Sequence, residues 1–229
     1  MRLDRFVCKS TELTKQDAIQ SINSGEVFVN GKVITNEGIQ VHEDNQITLN
    51  GEQLTTRAFR YFLMYKPANT ICSNIDEAYP SLFNYLKVKN RSELHIAGRL
   101  DADTTGLVLV TDDGRWSFDI TRPEKQCKKV YRVRLSKPIE GSVVSKFKHG
   151  IQLQGEPKPT LPAELVIINA NEALLTITEG KFHQVKRMFA AVGNRVSSLH
   201  REAVGEIVLD VDVGQWRYLT MDEINSFNR

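Results

Sequence analysis

The first 56 residues combine a helical and a strand-like pattern of apolar positions. A short helix is predicted at the start, with Leu3, Phe6 and Val7 on an apolar face and Arg2, Arg5 and Lys9 on a cationic face. Thr14 followed by Asp17 is typical of the start of a second helix, and Gly25 is typical of its end. We therefore expect two helices before the pattern changes.

After Gly25 the apolar positions occur in short runs suited to β-strands. The runs are interrupted by Asn30-Gly31 and Asn50-Gly51, dipeptides that favour tight hairpin turns. Residues 1–56 are accordingly predicted to form a small α+β module of two helices and β-hairpins. Residues 57–60 are predicted to be a linker, and the apolar run at 61–65 opens a second domain.

The second domain, residues 61–229, is rich in strand patterns with helical patterns between them. The strand patterns lie at 61–65, 107–110, 130–135, 163–168, 173–178 and 206–211, and the helical ones at 81–86, 142–147 and 185–192. This mixture predicts a domain of α+β class with a mostly antiparallel sheet.

Composition excludes several classes of protein. The chain of 229 residues has 41% hydrophobic and 25% charged residues and a formal net charge of +2, an ordinary balance for a globular protein. Its charged first residues and the lack of a long apolar run predict neither a secretion signal nor a membrane span. Three cysteines without close spacing predict neither disulfides nor a zinc site, so we expect a cytoplasmic protein without a metal.

Basic residues are concentrated in two segments. Residues 122–137 contain Arg122, Lys125, Lys128, Lys129, Arg132, Arg134 and Lys137, and residues 181–201 contain Lys181, Lys186, Arg187, Arg195 and Arg201. Tyr131, Phe182 and Phe189 lie among these cations. Cations that contact phosphates, together with aromatic faces that stack on bases, are typical of a surface that binds RNA. The alternative for each segment is a row of solvated charges that protects strand edges.

The segment 97–114 contains the strongest candidate for chemistry. A charged loop with Asp101 and Asp103 runs through Gly106 directly into the apolar run LVLV, which must be buried. The loop is therefore held at the edge of a core strand, where reactive groups are often presented. The alternative is that these acids only cap turns, and Asp103, Asp112 and Asp113 are interpreted in that way.

The string GRLDADTTGLVLVTDDG at 98–114 resembles the signature motif of the RsuA/RluA group of pseudouridine synthases. YFLMYKP at 61–67, KKVYRV at 128–133, ITEGKFHQVKRMFAAVGN at 177–194 and the segment 199–220 resemble further motifs of the same group. Residues 1–56 resemble the small RNA-binding domain first seen in a ribosomal protein of the small subunit. The resemblance covers nearly the whole chain.

This resemblance implies an enzyme that isomerises uridine to pseudouridine in ribosomal RNA without a cofactor or metal. The resemblance includes the members of this family that act on uridine 516 of 16S ribosomal RNA. The RNA partner is expected either alone or as a partly assembled ribonucleoprotein, and nothing in the sequence requires more than a monomer.

The resemblance also assigns roles to individual residues. Asp101 matches the catalytic aspartate, which attacks the sugar carbon or assists departure of the base. Lys186 matches its basic partner, an arginine in many relatives, and is expected to form a single-point ion pair, with Arg187 as the weaker candidate. Tyr131 matches the tyrosine that stacks on uracil, and Arg99 is expected to contact RNA beside the flipped nucleotide. Further RNA-binding candidates are Arg2, Arg5, Lys9, Lys128, Lys129 and Arg187.

Two other functions remain open at this point. A non-catalytic RNA-binding factor of ribosome assembly would use the same modules as a clamp, without needing accurate placement of Asp101 and Lys186. A glycoside hydrolase or nucleosidase would share the carboxylate chemistry but would require a second acid within reach.

Overall fold

The computed structural model describes residues 1–42 and 44–227. The chain divides into two compact units, an N-terminal unit of Met1–Phe59 and a C-terminal unit of Arg60–Arg229. The boundary falls within the segment predicted as a linker. On the N-terminal side, the backbone N–H of Arg57 donates to the carbonyl of Lys9 at 3.1 Å. On the other side, Arg60 Nε donates to Asp112 Oδ2 at 2.9 Å. Both ends of the predicted linker are therefore bonded within their own units.

The N-terminal unit contains the predicted helices and hairpins. Its elements are α1 (Leu3–Ser10), α2 (Lys15–Asn23), β1 (Val27–Val29), β2 (Lys32–Val33), β3 (Ile47–Leu49) and β4 (Glu52–Gln53), with the antiparallel strands in the order β2-β1-β3-β4. Both residues of the Asn30-Gly31 turn have positive φ, at 50° and 76°, as a tight hairpin turn requires. Thr14 accepts a hydrogen bond from the Asp17 N–H and begins α2, as the sequence predicts.

Lys9 departs from the predicted cationic face of α1. Its side chain is buried, and Nζ lies 2.9 Å from the centroid of the Phe59 ring. Helix α1 is covered on more than one side, because the segment that follows β4 packs against the C-terminal end of α1. Lys9 is therefore unsuited to bind phosphate, and the prediction for this residue is corrected. Arg5 is exposed, and Arg2 pairs with buried Asp4 at 3.0 Å.

The C-terminal unit is built on one large sheet. Its elements are β5 (Tyr61–Lys66), β6 (His95–Ala97), β7 (Thr105–Thr111), α3 (Gly114–Thr121), β8 (Lys129–Leu135), α4 (Ser142–His149), β9 (Glu164–Asn169), β10 (Glu172–Ile177), α5 (Gln184–Ala191), β11 (Val196–Val204), β12 (Ile207–Val208), β13 (Trp216–Tyr218) and α6 (Met221–Asn225). The strand order is β13-β5-β7-β11-β8-β10-β9, with β6 also paired to β7 and β12 to β11. Strands β7 and β11 run parallel, and the other pairs are antiparallel.

Strand β7 has an unbroken apolar sequence because both faces of the sheet are covered there. Val108 and Val110 belong to one hydrophobic cluster, whereas Leu107 and Leu109 belong to another. A strand buried on both faces loses the alternation of apolar and polar residues that a half-exposed strand shows. The loop that contains Asp101 therefore leads into the interior of the sheet.

The pattern of apolar residues does not predict strand β11. Its pairing with β8 is interrupted by register shifts between Val196 and Ser198 and between Arg201 and Ala203. Such bulges break the two-residue alternation by which strands are recognised. The segment 206–211, in contrast, was predicted as a strand, but only Ile207–Val208 forms one.

Strands β7 and β11 approach closely at Gly106. This residue has φ of 113°, a conformation that favours glycine. A Cβ atom at this position would lie 2.2 Å from the carbonyl oxygen of Arg201. The glycine of the motif is therefore required by backbone contact.

Within residues 1–42 and 44–227, no helix is long and apolar enough to cross a membrane.

Candidate active site

The loop between β6 and β7, residues 98–104, presents Asp101 at the edge of the sheet. Lys66, at the end of β5, is fully buried below this loop. Its ammonium group donates to the carbonyl oxygens of Pro67, Ala102 and Thr104 at 3.1, 3.1 and 2.9 Å. Burial lowers the pKa of Lys66. The lysine of the YFLMYKP motif thus binds the backbone on both sides of Asp103.

Further contacts hold the same loop. The Leu100 N–H donates to Cys72 Sγ at 3.3 Å, and the Asn69 N–H donates to the carbonyl of Ala102 at 2.8 Å. Arg201, on β11, donates from Nη2 to the carbonyl of Gly98 and from Nε to that of Leu107, both at 2.7 Å. Arg201 is 2% exposed, so its assignment to a cationic surface segment is corrected.

Lys186 connects the loop to helix α5. Its Nζ lies 2.9 Å from Asp101 Oδ2 and 2.6 Å from Asp103 Oδ1. The sequence led us to expect the contact with Asp101, but Asp103 was interpreted as a structural or capping acid. His183 contributes a third contact, with Nε2 at 3.4 Å from Asp101 Oδ1. One ammonium group therefore bridges two carboxylates.

The pKa values of this cluster are shifted in opposite directions. Burial by itself lowers the pKa of Lys186, but the hydrogen bonds and charges of Asp103 and Asp101 outweigh it, so the pKa is raised. Burial by itself raises the pKa of Asp103, but the bond to Lys186 outweighs it, so the pKa is lowered. Both shifts favour the charged forms at neutral pH.

Tyr131 lines the same pocket as Asp101 and Lys186. It lies on β8 and is 7% exposed, which agrees with its predicted position on the core-directed face. Arg201 Nη1 donates to the phenolic oxygen at 3.4 Å. Apolar side chains of Leu100, Ile177, Val185 and Leu199 also line the pocket, as does exposed Arg99. An acid, an amine and an aromatic ring thus converge on one depression that both polar and apolar side chains line.

The remaining RNA-binding candidates fall into two groups. Arg99 and Lys128 are exposed. Lys129 is 5% exposed, and its ammonium donates to the carbonyls of Ile120 and Cys127 at 3.2 and 3.0 Å. It is the first residue of β8 and lies on the same face of the strand as buried Tyr131 and Val133, so it faces the interior, which corrects its predicted role. Arg187 pairs with Glu156 at 2.9 Å rather than with Asp101.

Family models match both units of the chain. A family model described as RNA pseudouridylate synthase matches residues 60–191, and an S4 domain model matches residues 1–56. The chain belongs to the RNA pseudouridylate synthase family. As a member of this family it is an enzyme, an RNA pseudouridine synthase.

Relatives of this synthase match it over its whole length. It is 49% identical to the ribosomal small subunit pseudouridine synthase A of Vibrio parahaemolyticus and 42% identical to that of Escherichia coli K12, each over 99% of both chains. A crystal structure of a pseudouridylate synthase, 42% identical, covers 99% of both chains with a TM-score of 0.73. The fold expected from the sequence, an RNA-binding module before a synthase domain, is thus confirmed.

Sequence reasoning alone missed the residues that position the loop. Lys66 and Arg201 occur in motif segments, but their full burial follows from the tertiary fold. The available signal was that Lys66 ends the apolar run 61–65 and that Arg201 lies in the segment that resembles the closing motif of the family. Among the residues that the structure describes, no group of histidine, cysteine, aspartate and glutamate side chains has the arrangement of a metal site.

Proposed function

We propose that this synthase isomerises one uridine of small-subunit ribosomal RNA, uridine 516 of the 16S molecule, with Asp101 as the catalytic residue. The observation that supports the roles of the residues is the bridge from Lys186 to Asp101, at 2.9 Å, in the pocket lined by Tyr131. The choice of RNA rests on the relatives, which are named as synthases of the ribosomal small subunit.

The reaction exchanges one bond for another without net oxidation. The bond between sugar C1′ and uracil N1 breaks, uracil turns, and a bond between C1′ and C5 forms; C5 loses a proton and N1 gains one. Asp101 either attacks C1′ or assists departure of the base, and both routes need an ionised carboxylate. The Lys186 ammonium stabilises that charge inside a pocket from which bound uracil excludes water.

Tyr131 is suited to hold the detached uracil. Its ring forms part of the pocket wall, and its oxygen accepts a hydrogen bond from buried Arg201. This donor fixes the orientation of the phenol ring, which is suited to stack on the detached uracil. Because the target must leave its helix or loop to reach Asp101, Arg99 and Lys128 are proposed to bind the phosphates beside it.

The N-terminal unit is proposed to add affinity for folded RNA. Arg5 is exposed on α1, and Arg2 lies beside it. These cations bind phosphates without reading sequence, so the choice of uridine depends on RNA shape and on bases near the pocket. Naked 16S ribosomal RNA and a partly assembled subunit are both substrates to be tested.

Tritium release tests the catalytic assignment. The protein is incubated with 16S transcript labelled with tritium at uracil C5, and the modified position is mapped by carbodiimide labelling and primer extension. We expect wild-type release at uridine 516, no release with Asp101→Asn, and equal RNA binding by both. Asp222→Asn, which changes an exposed acid on α6, should retain full activity.

The same assay separates the alternatives. Tight binding with background release by the wild-type protein would favour an assembly factor. Free uracil in solution would indicate a nucleosidase. Release at a different uridine would retain the reaction but overturn the proposed target.

A further inference from the structure

Phe182 presents an aromatic face beside the pocket that the proposed mechanism does not use. Its side chain is 75% exposed, an unusual state for phenylalanine. The ring stacks on the imidazole of His183, with centroids 3.8 Å apart and planes inclined by 21°. His183 Nε2 in turn lies 3.4 Å from Asp101 Oδ1. The open face of Phe182 is therefore separated from the reacting carboxylate by one imidazole ring.

The turn that presents this stack is held by several hydrogen bonds. Gln184 Oε1 accepts from the Lys181 N–H at 2.9 Å, and the Gln184 N–H donates to the Lys181 carbonyl at 3.1 Å. Arg187 Nη1 donates to the carbonyl of Phe182 at 3.0 Å. His183 has φ of 49°, and a non-glycine residue keeps such a conformation only where its surroundings enforce it. The aromatic face is thus in place before RNA binds.

We propose that Phe182 stacks on an unpaired base adjacent to the target uridine. The proposal rests on the proposed function, because flipping of the uridine creates the need for such a contact. When the uridine leaves the stack, its neighbour loses the ring that covered one of its faces. A flat aromatic side chain replaces that ring, and it does so for any base, since every base has a π-face.

The charges around the ring favour a nucleic acid as its occupant. Exposed Arg99 lines the pocket together with Lys181, which pairs with Glu156 at 3.3 Å, and Lys186, which pairs with Asp101 and Asp103. The backbone between a flipped uridine and its neighbour must cross this cationic margin, where phosphates are stabilised. A peptide segment bound to Phe182 would gain the apolar contact but not this charge complementarity.

Steady-state kinetics on the tritiated transcript test the proposal. Phe182→Ala removes the ring, Phe182→Leu keeps an apolar contact with His183 without a flat face, and Phe182→Tyr keeps both. We expect the Ala and Leu variants to raise KM roughly tenfold with kcat little changed, since stacking acts equally on bound substrate and transition state. Phe182→Tyr should restore the wild-type KM.

Phe118→Ala is the matched control, because Phe118 is also exposed, at 58%, but lies on α3. Its KM should equal that of the wild type. Thermal melts of all variants check that they are folded. An unchanged KM in Phe182→Ala, or a loss confined to kcat, would overturn the proposal.

A fluorescent base distinguishes failure of the stack from failure of the proposed function. RNA with 2-aminopurine beside the target is bound to Asp101→Asn protein with and without Phe182→Ala. Stacking on Phe182 should quench the fluorescence in the first complex, and the double variant should be brighter. Equal brightness with 2-aminopurine on either side of the uridine would refute stacking, whether or not the wild-type protein releases tritium.

Discussion

Lys186 binds two carboxylates with a single nitrogen atom. A guanidinium at this position would form a planar fork suited to one carboxylate, whereas an ammonium accommodates acids that approach from different directions. Asp103 is the more exposed of the two, with 70% of its side chain accessible against 29% for Asp101. Asp103 therefore holds the lysine from the solvent side while Asp101 faces the pocket.

Removing the ammonium group should disable Asp101 without unfolding the protein. Lys186→Met leaves the two acids without their shared cation, and removal of a hydrogen bond between charged groups costs about 1.5–3 kcal/mol. We expect kcat to fall by roughly 10- to 100-fold, measured by tritium release under saturating RNA. Lys186→Arg should retain more activity than Lys186→Met. Equal activities of these two variants would contradict a role for the positive charge.

Asp103 should help to keep Lys186 charged on the alkaline side of the activity profile. Because the pKa of Lys186 is raised, its ammonium group stays charged at pH values above its ordinary pKa, and the charge is lost only as pH rises through the folded-state pKa. In Asp103→Asn, Lys186 loses one of the two carboxylates that raise its pKa. The effect of burial then weighs more, so the pKa of Lys186 should be lower than in the wild type. The kcat/KM profile should then begin to fall at lower pH than in the wild type. Asp103→Glu should move the profile back, and superimposable profiles would argue against the coupling.

At the scale of elements, the contact between β7 and β11 places the catalytic loop. Gly106→Ala would put a methyl group 2.2 Å from the Arg201 carbonyl at a positive φ. We expect the free energy of unfolding to fall by about 2–4 kcal/mol, since backbone strain and steric overlap combine. Urea denaturation measures the change. Gly114→Ala, where no atom lies within 4 Å of the added Cβ, is the control and should stay within about 1 kcal/mol of the wild type.

The same strand pair contains a group whose titration should affect stability. His200 Nδ1 lies 2.8 Å from Thr105 Oγ1, and burial lowers the pKa of His200. The unfolded chain therefore binds the proton first as pH falls below about 6.5. Stability should decrease between that pH and the lower folded-state pKa.

Thermal melts from about pH 7 to 5 check this expectation. His200→Asn keeps a hydrogen-bonding side chain but does not titrate there, so its Tm should depend less on pH than that of the wild type. The charge of Glu202 raises the pKa of His200, and that of Arg132 lowers it. Glu202→Gln tests how much these charges contribute to the pH dependence of Tm. Parallel Tm curves for wild type and His200→Asn would exclude His200 as the source.

Elements that a few adjacent residues specify are easier to predict from the sequence than elements that depend on contacts between distant segments. The hairpins at Asn30-Gly31 and Asn50-Gly51 were predicted because a tight turn is specified by two adjacent residues. Strand β11 was not, since its bulges and the buried charge of Arg201 hide the alternation. Resemblance between motifs placed Asp101 and Lys186 together, but the burial of Lys66, Lys129 and Arg201 depends on strands distant in sequence.

At the scale of the whole molecule, each unit has a hydrophobic core of its own. Leu3, Ile22 and Ile47 lie in the core of the N-terminal unit. The C-terminal unit has separate clusters on the two faces of its sheet, and the pocket is lined entirely by its residues. A fragment of residues 60–229 should therefore fold and retain Asp101 chemistry.

Deleting residues 1–59 should consequently weaken RNA binding more than catalysis. For each phosphate that Arg2 or Arg5 no longer neutralises, the slope of log affinity against log salt should become shallower by about 0.7–0.9. We expect a higher KM for 16S transcript, a smaller salt slope and a nearly unchanged kcat. Arg5→Ala in the full chain should make the salt slope shallower by about 0.7–0.9, the contribution of one phosphate contact. If the fragment matches the full chain in both affinity and salt slope, the N-terminal unit binds something other than this RNA.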